Sequence, residues 1–326
     1  MQLKNGRYSY LELVIACTIF GSSGVFFKHV HGMGVSSVIF YRLLFGFSLL
    51  MVYLLITKKY EVFRLGKKKR YVLLIGVFNV ITAYAYFSSI TYAGLSTAVL
   101  LLYTAPVYVT LMSPLVLGDR ITRRSVMSLF LSLAGILLVV MPVGGLFGSG
   151  NHLVIGVLFG LVSGLSYSGT IMTVSYLKTD YSGTSQLFWS ALISLLILMP
   201  FGSRISGEVL VPNLPVLVVF GIVTTAFASL LYLNSAAKIP AQTVSVLALL
   251  EPVSGIIFSS LFLHEPILVR TMQGCLFILL GALILVMDDR AIYIDDMEKP
   301  VPGFPNVTGS RYPYISRMTS WLFRKY

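Results

Sequence analysis

Apolar residues in this chain come in long runs parted by short polar stretches. Ten runs are long enough to cross a bilayer: 10–28, 36–57, 71–90, 95–117, 125–143, 153–177, 184–201, 212–235, 241–263 and 268–287. A hydrocarbon core of ~30 Å needs roughly 20 helical residues. Apolar and polar positions do not alternate within the runs, as Leu129 to Met141 illustrates, whereas the strands of a β-barrel would alternate over about ten residues. Gly and Pro recur inside the runs, which lipid tolerates when neighbouring helices satisfy the freed backbone groups. The first run follows Lys4 and Arg7, as in a signal peptide, but it contains Glu12 and lacks a convincing cleavage site, so it reads as a retained helix. The predicted fold class is all-α integral membrane, with ten transmembrane helices.

Composition agrees. Hydrophobic residues make up 56% of the 326, charged residues 11%, and mean hydropathy is +0.87. Soluble chains run near a quarter charged, so a water-soluble enzyme and a disordered chain are both excluded. Twelve acids and four histidines leave little for hydrolytic or metal chemistry. Cys17 and Cys275 lie in apolar runs and form neither a disulfide framework nor a CxxC site. No phosphate loop, HExxH or GxSxG motif occurs. No catalytic residue, cofactor or metal is expected.

The net charge of +12 would suit nucleic acid, but its distribution argues otherwise. With the N-terminus in the cytoplasm, 20 of the 24 Lys and Arg fall on the inner side, including the run between Lys58 and Arg70. Lys28, Arg204 and Arg270 fall at outer ends, and Arg42 lies within a span. That asymmetry is the positive-inside rule. The expected location is the plasma membrane, multi-pass, with both termini cytoplasmic. The bilayer is the expected partner, nucleic acid is not, and a homodimer stays an option.

Shifted by 146 places, the second half overlays the first. Tyr86 falls on Tyr232, Thr97 on Thr243, Pro106 on Pro252, Arg124 on Arg270 and Gly135 on Gly281. The chain therefore divides into a first five-helix repeat, 1–146, a second, 147–290, and a cytoplasmic tail, 291–326. Five spans are an odd number, so the two repeats are expected to be inverted relative to each other, a common plan in secondary transporters. The Gly-rich junction 144–150 is then external.

The residues also carry a resemblance. Tyr103-Thr104-Ala105-Pro106 through Gly118-Asp119-Arg120 to Ala134-Gly135, and Leu250-Glu251-Pro252 through His264-Glu265-Pro266 to Gly281-Ala282, are similar in order and spacing to the EamA-like family of the drug/metabolite transporter superfamily. Arg42 resembles an arginine which that family carries early in its second span. Phe20-Gly21 departs from its usual Trp-Gly, and Asp119 from its usual Glu. The resemblance covers about residues 8–290. It implies export of a small organic metabolite, such as an amino acid or related compound.

Polar groups in hydrocarbon tend to face the bundle interior or a wet cavity. Asn79, Thr82 and Tyr86 recur at helical spacing in the third span, with Thr225, Ser229 and Tyr232 as a matching stripe in the eighth. Ser22 in the first span and Tyr167 in the sixth extend the set. These residues are expected to line a substrate pathway, although small residues also serve close helix packing. Glu251 is the one acid deep in a span, followed by Pro252, which frees the carbonyl of Ala248. Its charged form is costly there. It either stays neutral and hydrogen-bonds a freed carbonyl, or exchanges protons during transport, making protons a candidate coupling ion. Arg42 either snorkels, pairs with a carboxylate or contacts an anionic substrate. Pro106 and Pro252 are expected helix kinks. Asp119 and Glu265 should pair with nearby arginines.

The reading is a secondary active transporter of small organic metabolites working by alternating access. Its rivals are uptake or exchange of phosphorylated or nucleotide-linked metabolites, a membrane-embedded lipid-acting enzyme, and a non-transporting scaffold.

Overall fold

A backbone inside hydrocarbon must satisfy its own N–H and C=O groups, and a helix does so within one segment. Every long apolar run is accordingly helical in the computed structural model, which describes residues 2–66, 68–93, 95–119, 121–140, 151–202, 205–264 and 267–298. The first half comprises α1 (Gln2–Gly21) and α2 (Ser23–Lys28), α3 (Val35–Ile56), α4 (Lys69–Ala93), α5 (Leu95–Leu102) and α6 (Ala105–Val116), then α7 (Arg123–Val140). The second comprises α8 (Asn151–Tyr176), α9 (Gly183–Gly202), α10 (Gly207–Phe220), a π-helical stretch Gly221–Ala228, α11 (Ser229–Ala236), α12 (Ala241–Leu247), α13 (Leu250–Leu263) and α14 (Val269–Glu298). Among the described residues, nine segments are long and apolar enough to cross a membrane. Helix α7, 18 residues long, stands where the fifth run was expected.

Two boundaries differ from the hydropathy reading. Helix α1 begins at Gln2, ahead of the apolar run. Helix α14 passes the end of its run and enters the segment assigned to the tail, because no Gly or Pro interrupts 288–298. The rest of the tail, the 144–150 junction and Glu265 lie outside the described residues.

Two spans are interrupted in matching places. The fourth run divides into α5 and α6 around Tyr103 and Thr104, and the ninth into α12 and α13 around Ala248 and Leu249. Pro106 and Pro252 then fall in the first turn of a new helix, where no intrahelical N–H is called for. The carbonyl of Ala248, which Pro252 cannot serve, accepts instead from the Glu251 N–H at 3.0 Å.

The two halves pack as a pair related by exchange. Helices α7 and α14 cross at glycine: a Cβ on Gly135 would lie 2.6 Å from the Gly274 carbonyl, and one on Gly274 equally close to that of Gly135. Shifting both residues by one repeat gives the next contact along, where Ser128 donates to the Gly281 carbonyl at 2.6 Å. Residue numbers rise along one helix as they fall along the other, so α7 and α14 run antiparallel. Helices α3 and α9 do the same: the Ser37 hydroxyl donates to the Phe201 carbonyl at one end, and Phe47 packs on Phe188 at the other. Helix α4 lies antiparallel against α8, from Gly156 beside Ala93 to Ser166 donating to the Phe78 carbonyl at 2.9 Å.

Links between spans fasten onto the opposite half at both ends of the bundle. At one end Lys68 pairs with Asp180 at 2.8 Å, and the Tyr181 hydroxyl accepts from the Gly66 N–H at 2.6 Å. At the other, the Asn213 side chain accepts from the His31 N–H at 3.0 Å and donates to its carbonyl at 2.9 Å. Hydrogen bonding to Lys68 holds the Asp180 carboxyl below its ordinary range, and Asp180 raises Lys68. That link is present above the usual carboxylate range and lost as pH falls through the lowered value, or as it rises through the raised lysine value. Partial burial pushes the Asp119 carboxyl up, and Lys178 lies within electrostatic reach of it.

The glycine crossing yields a stability test. Gly135→Leu should destabilise the protein by about 1–3 kcal/mol through overpacking. Gly24, which has nothing within 4 Å of an added Cβ, should gain about 0.5–1 kcal/mol on mutation to Ala. Thermal unfolding in detergent reads both, and a Gly135→Leu protein as stable as its parent would show that α7 and α14 do not need this close approach.

Candidate functional site

Glu251 occupies the first turn of α13, pressed against α1, where a Cβ on Gly21 would lie 2.6 Å from the Glu251 carbonyl oxygen. That approach is possible only because Gly21 has no side chain. The Tyr103 hydroxyl, from the break between α5 and α6, lies within hydrogen-bonding reach of the carboxyl. The carboxylate's field also reaches Cys17 on α1, Arg42 on α3, Tyr86 on α4, Tyr167 on α8 and Tyr232 on α11. A charge in a low-dielectric interior is felt by every polar group around it. Elements from both halves thus converge on one half-buried carboxyl.

Arg42 turns inward. Its guanidinium lies 4.9 Å from the ring centroid of buried Phe220, a cation–π contact. Its Nε is buried without a hydrogen-bond partner, and among the described residues it meets Glu251 through space and not as a closed ion pair. Gly221 makes room for this part of α3, since a Cβ there would lie 2.5 Å from the Arg42 carbonyl.

Tyr232 is buried, packs edge-on against Phe20 at 5.8 Å and faces the Tyr167 hydroxyl, yet its own hydroxyl finds no partner at hydrogen-bond geometry. Tyr86 sits beside Phe87 at 5.3 Å. The π-helical stretch sets the register of this face: the Ser229 hydroxyl donates five residues back to the Thr224 carbonyl at 3.0 Å. Stretches of this kind concentrate at functional sites.

The remaining stripe residues divide. Asn79 is exposed and accepts from the Thr170 hydroxyl at 3.3 Å. Thr82 carries a buried hydroxyl oxygen without a partner. Ser22 interrupts the first span and bonds back to the Ile19 carbonyl at 2.6 Å, a local role. Tyr86, Tyr167 and Tyr232 therefore gather with Arg42 and Glu251, while Ser22, Asn79 and Ser229 make local or pairwise contacts and the Thr82 hydroxyl is unpartnered. Openings lie elsewhere among the described residues. A cleft of about 230 Å³ lies between α3, α4 and α9, lined by Ile39, Ala83, Phe87 and Thr91 among others. An almost wholly apolar groove of about 280 Å³ lies between α1, α13 and α14, next to Ser254. Ala83 of the third-span stripe lines the first opening and Thr18 and Ser254 the second, whereas Tyr86, Tyr167 and Tyr232 line neither.

Sequence reasoning missed Tyr103, Cys17 and Phe220. For Tyr103 the available signal was its place three residues ahead of Pro106, as Leu249 stands ahead of Pro252.

Comparison with known proteins fits this architecture. The model of the EamA-like transporter family matches residues 7–141 and again 154–287. A protein of Archaeoglobus fulgidus named an uncharacterized transporter is 28% identical over 281 residues, which is 85% of this chain and 96% of the relative. The uncharacterized inner membrane transporter YicL of Salmonella typhimurium is 25% identical over 87% of this chain and 97% of its own. A solved crystal structure with 18% identity superposes with a TM-score of 0.73 over 87% of this chain and 98% of that one, a likeness of fold. Two family matches, one in each half, cover most of the sequence. The chain is thus a multi-pass membrane protein of the EamA-like transporter family, within the drug/metabolite transporter superfamily, and a transporter in place of an enzyme.

Proposed function

We propose that the protein is a secondary active exporter of small organic metabolites, such as amino acids or related compounds, working by alternating access. The observation that carries this reading is the buried cluster of Arg42, Tyr86, Tyr167, Tyr232 and Glu251, to which both halves contribute. A cation set among phenols suits a small polar cargo, and a carboxyl that does not pair with that cation is left to carry a proton. A phosphorylated cargo would call for more than one cation, and Arg42 is the one cation whose field meets Glu251 among the described residues.

On this reading ten spans form two inverted repeats, 1–146 and 147–290, and both termini are cytoplasmic. The antiparallel crossings of α7 with α14 and of α3 with α9 support it, since a repeat and its inverted mate run oppositely. Cysteines placed at the two termini should both label from the inside and one in the 144–150 junction from the outside. Labelling of the termini from opposite faces would overturn the ten-span count and the inversion together.

Glu251 is the proposed coupling group. Its immediate backbone has no need of the carboxyl, because the Ala248 carbonyl is already served by the Glu251 N–H. Glu251→Gln keeps size and hydrogen bonding but binds no proton, so a proton gradient cannot bias its states. In proteoliposomes it should lose pH-driven transport while counterflow of labelled cargo at equal pH stays within about twofold. Full pH-driven activity in a folded Gln variant would leave Glu251 a packing residue.

A further inference from the structure

The two interrupted spans meet at their interruptions. Tyr103, in the break between α5 and α6, is 5% exposed and shares a core cluster with Leu249, in the break between α12 and α13, and with Val253 one turn into α13. Between Leu249 and Val253 stands Glu251, which brings its carboxyl within hydrogen-bonding reach of the Tyr103 hydroxyl. The 146-residue shift places Tyr103 on Leu249 and Glu251 on Ala105. The packing of the breaks is thus repeated by the duplication, whereas the phenol and the carboxyl are not. A hydroxyl has been set on one break, and an acid beside the other, where they can meet only across the two halves.

We propose that Tyr103 is the positioning residue of the coupling carboxyl, holding Glu251 at the contact between the two broken helices so that proton exchange is tied to their fit. The proposal rests on the reading of Glu251 as the coupling group. A phenol suits the task because it donates to a carboxylate and accepts from a neutral carboxyl, so it orients the group in either state. The other groups facing Glu251 do not replace it. Arg42 on α3 is held over Phe220, and Cys17 on α1, Tyr86 on α4, Tyr167 on α8 and Tyr232 on α11 act on the carboxyl through space. Separation of the halves at these breaks would part phenol from acid, and their return would restore the bond.

The test is a double-mutant cycle in proteoliposomes with Tyr103→Phe, Glu251→Gln and the pair. Tyr103→Phe removes one oxygen and keeps the ring in its cluster. Counterflow at equal pH should stay within about twofold, while the pH profile of driven transport moves by about one pH unit, the scale of one hydrogen bond to a charged group. In the Glu251→Gln background the same change should do nothing further to driven transport. An unmoved pH profile in folded Tyr103→Phe would overturn the proposal, as would an equal loss of counterflow with and without Glu251. Undiminished driven transport in Glu251→Gln alone would instead refute the coupling role of Glu251, which is a separate result.

Discussion

No water reaches the middle of a bilayer, so every backbone N–H and C=O there must find its partner within the protein. Unbroken helices meet this demand segment by segment. The informative places are those where a helix stops inside the hydrocarbon. Pro252 removes a donor, and the Ala248 carbonyl takes the Glu251 N–H three residues on; the matching break gives the Thr104 carbonyl the Val107 N–H at 2.9 Å. These local bonds serve one carbonyl in each break without calling on the side chains of Tyr103 or Glu251. The glycine crossings obey the same constraint from the other side. With no hydrophobic force to draw helices together in lipid, close van der Waals approach must do it, and Gly21, Gly135, Gly221 and Gly274 allow it.

Much of this scaffold is readable in the sequence because it is periodic. Ten apolar runs, the 146-residue self-overlay and the matched prolines are properties of spacing, and spacing survives translation into helices. The chemistry was less legible. Glu251 stood out as a lone acid in an apolar run, and the repeat matched Tyr86 with Tyr232. Tyr103 did not stand out, since a tyrosine in a span is ordinary and its value lies in facing an acid 148 positions away. Phe220 was equally silent: its ring matters only because Arg42 lies across it. The polar stripe is not uniform. Helical spacing puts Asn79, Thr82 and Tyr86 on one side of α4, but that side is broad enough to hold an exposed amide at one end and a tyrosine directed at Glu251 at the other.

A duplicated scaffold with unduplicated chemistry is a physical arrangement with consequences. If the halves exchange conformations, a scaffold whose contacts are symmetric offers two states of similar energy, which is what a carrier needs to visit both faces. Symmetric packing at Gly135 with Gly274 and at Ser128 with Gly281 has that character. A driving ion needs the opposite, one site whose occupancy biases the pair of states. Among the places where the halves differ are Glu251 against Ala105, Tyr103 against Leu249, and a π-helical stretch at Gly221–Ala228 where the corresponding part of α4 is regular α-helix.

Arg42 completes that logic by what it does not do. A guanidinium and a carboxylate buried in one cluster ordinarily close into an ion pair, because separating them leaves two costly charges. Here the guanidinium lies instead on the face of Phe220, a partner that stabilises a cation without neutralising the acid. Closing the pair would fix Glu251 as a permanent anion and take both groups out of service. Holding them apart, one on an aromatic face and the other on a phenol, keeps the cation able to meet an anionic group of a cargo and the acid able to gain and lose a proton. On the proposed function, Phe220 and Tyr103 are therefore equivalent devices: each gives a buried ionisable group a companion weak enough to be left.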